Sequence, residues 1–242
     1  TANRLRLKAP PGPAGELAKG QAVVVRLARD EAELRGSLEL RYQVYTRLGY
    51  LPERVVQCSA QVDLDCYDPR ALHFVAEETQ NGNLVGSVRL VLPRGISERR
   101  QHSVIGSPPA RTLRRQAAWC QSLAEAVRRQ GCPLLLERLG EATFASLPIL
   151  QSNDFTDSST GSRTEVENLL SQVGTFAELS RLVVWPRYRG LEISRLLIRA
   201  VVAVAVDLGL QSLVLECVPE HVPMYEKYGF ARMIQGHLGR DQ

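Results

Sequence analysis

The sequence has no long hydrophobic run. Its longest uninterrupted apolar stretch, Ala200–Val206, is far short of a membrane span. The first residues carry no apolar leader core either, so the reading is a cytoplasmic protein without a transmembrane segment. Cysteine is scarce and unpatterned. Cys58, Cys66, Cys120, Cys132 and Cys217 are odd in number and contain no C-x-x-C pair, which argues for reduced thiols and against a disulfide framework or a zinc site. Neither charge sign dominates. A net charge of +4 fits an acidic partner or an anionic ligand, but it is too small and dispersed for nucleic acid. There is no G-x-S-x-G and no paired Cys/His motif, which sets aside hydrolases. Internal repeats and a domain linker are also missing, so the 242 residues are read as one mixed α/β (α+β) domain.

What is there centres on Phe176–Leu197. Phe176–Val184 reads as a strand, rich in Leu and Val but interrupted by Glu178, Ser180 and Arg181. Trp185-Pro186-Arg187-Tyr188-Arg189-Gly190 reads as a turn. Ile193, Leu196, Leu197, Ala200, Val201, Val204 and Leu208 then repeat at the spacing of one buried helical face. A basic, Gly-containing turn at a helix N-terminus is a physical anion site, because the first-turn N–H groups are unpaired and the helix dipole adds positive charge. An ordinary turn with solvated arginines is the alternative.

In chain order, residues 1–20 carry Lys8-Ala9-Pro10-Pro11-Gly12-Pro13 and are expected to be a flexible arm, with the domain spanning 21–242. Ala22–Leu27 is a strand candidate. Asp30 is a helix N-cap with Glu31 and Glu33 in the first turn, and Gly49 closes the helix, whose face carries Leu34, Leu38, Tyr42 and Tyr45. Leu51–Arg70 is a loop with Asp63, Asp65 and Asp68. A calcium loop would need Gly and Glu where Asp68 and Phe74 stand, so the cluster is either a solvated turn or a carboxylate set for a cationic group. Leu72–Glu78 and Leu84–Leu92 flank Asn81-Gly82, a hairpin signal. His73 and Arg89 lie in these strands. A helical insert is expected at about 96–172. It holds a basic loop with Arg99, Arg100 and His102, a helix at Ala110–Gln130, the apolar stretch Leu134–Leu150, a polar loop at Ser152–Arg163 and a short helix at Glu165–Val173. Ser212–Val218 is a further strand. A one-turn helix capped by Gly229 follows Pro219–Pro223, and Ile234–Leu238 is a last strand candidate.

Two of these stretches carry a family resemblance. Arg187-Tyr188-Arg189-Gly190-Leu191-Glu192 resembles the Q/R-x-x-G-x-G/A pyrophosphate loop of GCN5-related N-acyltransferases, and Tyr225-Glu226-Lys227-Tyr228-Gly229-Phe230 resembles that superfamily's C-terminal signature. Four further blocks resemble, in order, those of acyl-homoserine-lactone synthases: Arg41-x-x-x-Tyr45, Asp63-x-Asp65-x-Tyr67-Asp68, Gly86-Ser87-Val88-Arg89-Leu90 and Glu178-Leu179-Ser180-Arg181. Long-chain N-acyl amino acid synthases, ornithine-lipid acyltransferases and exosortase-associated acyltransferases are similar in layout. Tyr50-Leu51 stands where the lactone synthases usually have tryptophan, and His73 and the Tyr225–Phe230 signature look more like the N-acyl amino acid synthases.

The resemblance implies a single acyltransferase fold with a mixed central sheet between helices, no metal and no permanently bound cofactor. It implies transfer of a long-chain acyl group from a phosphopantetheine thioester to the amine of an amino acid or a derivative. In that role Glu178 is the expected general base, raised by burial towards the working range, and Tyr225 the proton donor to the leaving thiolate. Backbone N–H groups of Leu182, Val183 and Val184 would hold the pantetheine arm, and Arg187, Arg189 and Gly190 the phosphate. Arg41, Tyr45, Asp63, Asp65, Asp68, His73, Arg89, Ser180 and Arg181 would shape the acceptor site. Glu192 stands where a small residue lets a diphosphate approach, so acyl carrier protein is expected as donor ahead of coenzyme A. The arginines around 99–115 and Arg128–Arg129 would steer that acidic carrier, and Leu134–Leu150 would line an acyl tunnel. Lactone synthesis and a non-catalytic thioester-binding module are the alternatives.

Overall fold

The computed structural model describes residues 3–5, 22–93, 108–132 and 175–232. Within them a six-stranded sheet runs in chain order, with β1 Asn3–Leu5, β2 Val23–Leu27, β3 Ala71–Glu78, β4 Leu84–Val91, β5 Phe176–Val184 and β6 Ser212–Val214. All neighbours are antiparallel except the β5–β6 pair, which is parallel. Residues 3–5 thus add an edge strand to Val23–Val25 where the sequence suggested only an arm. The hairpin falls where Asn81-Gly82 predicts it. Gly82 takes φ +72, and its N–H donates to the Glu78 carbonyl at 2.9 Å.

Five helices are described: α1 Glu31–Leu48, α2 Glu53–Val56, α3 Pro108–Arg129, α4 Ile193–Asp207 and α5 Val222–Glu226. α1 starts at the predicted cap, where the Asp30 carboxylate accepts the Glu33 N–H at 2.9 Å, and ends at Gly49 with φ +70. The expected 51–70 loop is partly ordered, as α2 and as a 3-10 turn at Asp68–Arg70. β6 is shorter than Ser212–Val218. Arg99, Arg100, His102, Leu134–Leu150, Ser152–Arg163, Glu165–Val173 and Ile234–Leu238 lie outside the described residues.

Strand alternation gives the sheet two different faces. Leu72, Phe74, Val88, Leu90, Ala177 and Leu179 point to one side and pack under Leu196, Leu197 and Val201 of α4. Gly86 is needed for this contact: a β-carbon there would meet Ile193 at 3.1 Å and Leu197 at 3.2 Å. The opposite face carries His73, Arg89 and Ser180, covered by α1 and α3, whose apolar sides meet in a second cluster around Leu34, Leu38, Cys120 and Leu123.

One cysteine expectation is overturned. Cys58 and Cys132 form a disulfide, with Cα atoms 5.4 Å apart and a sequence separation of 74. Local spacing is silent about this pair, because the fold brings the chain after α2 against the end of α3. Cys66, Cys120 and Cys217 are free thiols. No described helix is long and apolar enough to cross a membrane.

Candidate active site

The second sheet face holds a buried ion network built from four chain segments. α1 turns Leu34, Leu38 and Arg41 inward on one stripe, so the arginine enters on the core side of its helix. Its Nε donates to Asp63 Oδ2 at 2.9 Å and its NH1 to Asp68 Oδ1 at 2.8 Å. Arg89 of β4 donates from NH1 to Asp65 Oδ1 at 2.6 Å and to Asp68 Oδ1 at 2.8 Å, and from Nε to Ser180 Oγ at 3.0 Å. Arg181 of β5 donates to Asp65 Oδ2 at 3.2 Å and lies 3.7 Å from Asp63 Oδ2. The Asp63–Asp68 segment therefore binds cations, but those cations belong to the chain itself, and Asp63 and Asp68 are both 0% exposed. Burial alone would raise the Asp65 carboxyl; the Arg89 and Arg181 guanidiniums override it and hold the group below the usual carboxylate range. Three carboxylates face three guanidiniums, and His73 adds no charge near neutrality because burial holds its imidazole down at about 4.

His73 sits beneath the network. Its Nε2 bonds the Asp68 carbonyl at 3.0 Å and approaches Cys120 Sγ at 3.8 Å, and the residue is only 2% exposed. It supports the acidic turn from behind. Gln116 of α3 fixes the same strand: its Oε1 accepts the His73 N–H at 2.9 Å, and its Nε2 donates to the Ala28 carbonyl at 3.0 Å. Tyr67 stacks between two guanidiniums, with Arg70 at 5.1 Å and Arg89 at 5.9 Å from its ring.

β5 changes partner along its length. Arg181 takes φ +56, a left-handed conformation inside a strand, and Arg181 and Leu182 lie opposite the single residue Val88 of β4. On the other edge, β6 pairs only with Phe176, Ala177 and Glu178. From Leu179 to Val184, the β6 side of β5 has no strand partner among the described residues. Glu178 stands where the two strands part. It is 2% exposed and lies two residues from Ser180, so alternation puts it on the network face.

The remaining predicted residues divide. Tyr45 lies beneath the Arg181 guanidinium, at 5.4 Å from its ring. Tyr225 is buried and packs edge-on against Phe230 at 5.7 Å between centroids. Burial raises its phenol pKa, and Cys217 and Tyr45 push the same way, so its hydroxyl keeps its proton. Arg187, Arg189 and Gly190 sit apart from the network on the exposed turn after β5. Arg187 there donates to the Tyr188 hydroxyl at 2.9 Å. Glu192 takes φ +57 at the cap of α4 without capping it, and its carboxylate pairs with Arg195. Gln116 and Glu78, which hydrogen-bond to β3 and to Tyr188 respectively, carry no signal in the sequence pattern.

Two family models match this sequence: N-acyl amino acid synthase FeeM over residues 150–237, and an acetyltransferase (GNAT) domain over residues 40–125. They fall on the two halves of the site just described. The chain has the fold of a GCN5-related N-acyltransferase, and its enzyme class is acyl transfer. The structure of FeeM, an N-acyl amino acid synthase from uncultured soil microbes, superposes on this acyltransferase with a TM-score of 0.50 at 13% identity, covering 87% of this chain and 80% of that one. A predicted acetyltransferase with acetyl-CoA from Clostridium acetobutylicum gives 0.45 at 12% identity over 87% and 91%. Glucosamine-6-phosphate N-acetyltransferase from Arabidopsis thaliana gives 0.42 at 13% over 90% and 99%. No curated protein matches the acyltransferase's sequence.

Proposed function

We propose that the protein transfers a long-chain fatty acyl group from an acyl carrier protein thioester to the amine of an amino acid or an amino-acid-derived molecule. The observation that carries this reading is the position of Glu178: a buried carboxylate where β5 and β6 part, with strand edge unpaired among the described residues on one side and the ion network on the other. The open edge at Leu182, Val183 and Val184 suits the amides of a pantetheine arm and the thioester oxygen. Glu178 takes the proton of the attacking ammonium, and the nitrogen forms its bond to the thioester carbon. The C–S bond then breaks, and Tyr225 protonates the leaving sulfur. The neutral network holds the acceptor side rigid. A carrier-protein donor is supported by the exposed guanidiniums of Arg111, Arg114, Arg115, Arg128 and Arg129 on α3 and by the carboxylate of Glu192 beside the phosphate turn.

The test is mass spectrometry of reactions containing purified protein, acyl-acyl carrier protein and a panel of amino acids. A new N-acyl amino acid is expected, with a loss of roughly 10²–10⁴-fold in kcat for Glu178→Gln. An acyl lactone would move the assignment to the lactone synthases. Undiminished turnover in both Glu178→Gln and Tyr225→Phe would remove the catalytic assignment, and equal use of acyl-coenzyme A would remove the carrier preference.

A further inference from the structure

The turn that follows β5 is tied to the sheet by a residue two strands away. Glu78, the last residue of β3, is 0% exposed. Its Oε2 accepts the Tyr188 O–H at 3.0 Å, and the Tyr188 oxygen accepts from Arg187 NH2 at 2.9 Å. The Arg187 guanidinium also lies 4.8 Å over the Tyr188 ring. A hydroxyl that donates and accepts at once is polarised by both partners. The Tyr188 hydroxyl is therefore held by both partners, and the residue is 5% exposed.

The anchor itself is rigid. Glu78 donates its N–H to the Asn83 carbonyl at 2.9 Å and accepts from Gly82 at 2.9 Å, so the β3–β4 hairpin fixes its backbone. Glu78 Oε1 is buried and has no hydrogen-bond partner among the described residues. A half-satisfied buried carboxylate is a poor device for stability alone. The held turn has an open outer side: Gly190 takes φ +83, and a β-carbon there would meet nothing within 4 Å. Arg189 beside it is exposed.

We propose that Glu78 is a positioning residue for the donor: through Tyr188 and Arg187 it holds the Pro186–Gly190 turn in the shape that receives the donor's phosphate. This deepens the acyl-transfer reading and rests on it. Arg187 is then committed to the inner face of the turn, and Arg189 with the adjoining backbone N–H groups meets the phosphate.

The experiment compares binding of 4′-phosphopantetheine and of pantetheine by titration calorimetry, which needs no turnover. The native protein is expected to prefer the phosphorylated ligand. Tyr188→Phe and Glu78→Ala are expected to shrink that preference by about tenfold, the scale of one lost charge-assisted hydrogen bond. Glu78→Gln, which keeps an acceptor for the Tyr188 hydroxyl, should retain most of it. A merely structural role would weaken both ligands alike and leave the ratio unmoved. An unchanged ratio in Tyr188→Phe overturns the inference, as does a native protein indifferent to the phosphate. A shrunken ratio in a protein that acylates no amine leaves this inference standing and refutes the enzymatic reading instead.

Discussion

Replacing Asp68 by asparagine tests whether the buried network is the structural centre of the acceptor side. The shape barely changes, but one negative charge is lost from a set in which Asp63, Asp65 and Asp68 balance Arg41, Arg89 and Arg181. Asp68 is the shared member. It accepts from Arg41 at 2.8 Å, from Arg89 at 2.8 Å and from the Asp65 N–H at 2.7 Å. The amide keeps part of the hydrogen bonding but leaves one guanidinium without a counter-charge out of water. Breaking such a buried pair costs about 3–5 kcal/mol. For a domain of this size, where about 1 kcal/mol shifts Tm by about 2–4 °C, the melting temperature should fall by roughly 6–20 °C. Differential scanning calorimetry at pH 7 measures it. The double variant Arg41→Gln/Asp68→Asn removes one charge of each sign, so its loss should be smaller than the sum of the single losses by about 1–3 kcal/mol. A fall of under about 2 °C in Asp68→Asn, or strict additivity in the pair, would show that the charges are screened by water and that the network does not brace the site.

His73 predicts acid sensitivity in a definite window. Its imidazole is held at about 4 by burial, with Asp68 pulling up and Arg41 pushing down, against an ordinary value of 6.5. Between those two values the unfolded chain binds a proton that the folded chain refuses, so stability is full above pH about 6.5 and falls by ~3 kcal/mol as the pH drops through about 4. His73→Gln should flatten Tm between pH 7 and 4.5, and a variant as acid-labile as the native protein would exclude His73 as the cause. Glu192 predicts a change of donor. Its left-handed φ of +57 costs an L-residue about 1–2 kcal/mol, which glycine's larger unfolded-state entropy offsets in part, so Glu192→Gly should not lower stability and should tighten coenzyme A binding by removing a carboxylate beside the diphosphate. Unchanged coenzyme A affinity by calorimetry would sink the charge argument for a carrier-protein donor.

How much of this was legible in the sequence depends on whether the signal is local. Asp30, Gly49 and Asn81-Gly82 announce their caps and turn because each acts within a few residues, and the structure uses all of them. The arginines and aspartates of the network were legible as a set, from the spacing of four blocks. Which carboxylate meets which guanidinium was not, because that follows from strand register and from the way α1 crosses the sheet. Long-range pairs left no trace. Cys58 and Cys132 lie 74 residues apart, and Glu78 reads as the polar end of a hairpin strand until Tyr188, 110 residues later, is seen on its carboxylate.

Backbone strain was equally silent. Arg181 is named in a motif for its charge, yet its contribution is also a positive φ that breaks the β4 ladder just beyond the point where β6 ends. The bulge opposite Val88 and the arginine's reach to Asp65 meet at this one residue, three positions after β6 leaves the strand. On the proposed function a substitution there would perturb donor and acceptor sides together, whereas Asp68 and Glu78 test them separately: Asp68 sits in the ion network, and Glu78 holds the turn after β5 through Tyr188.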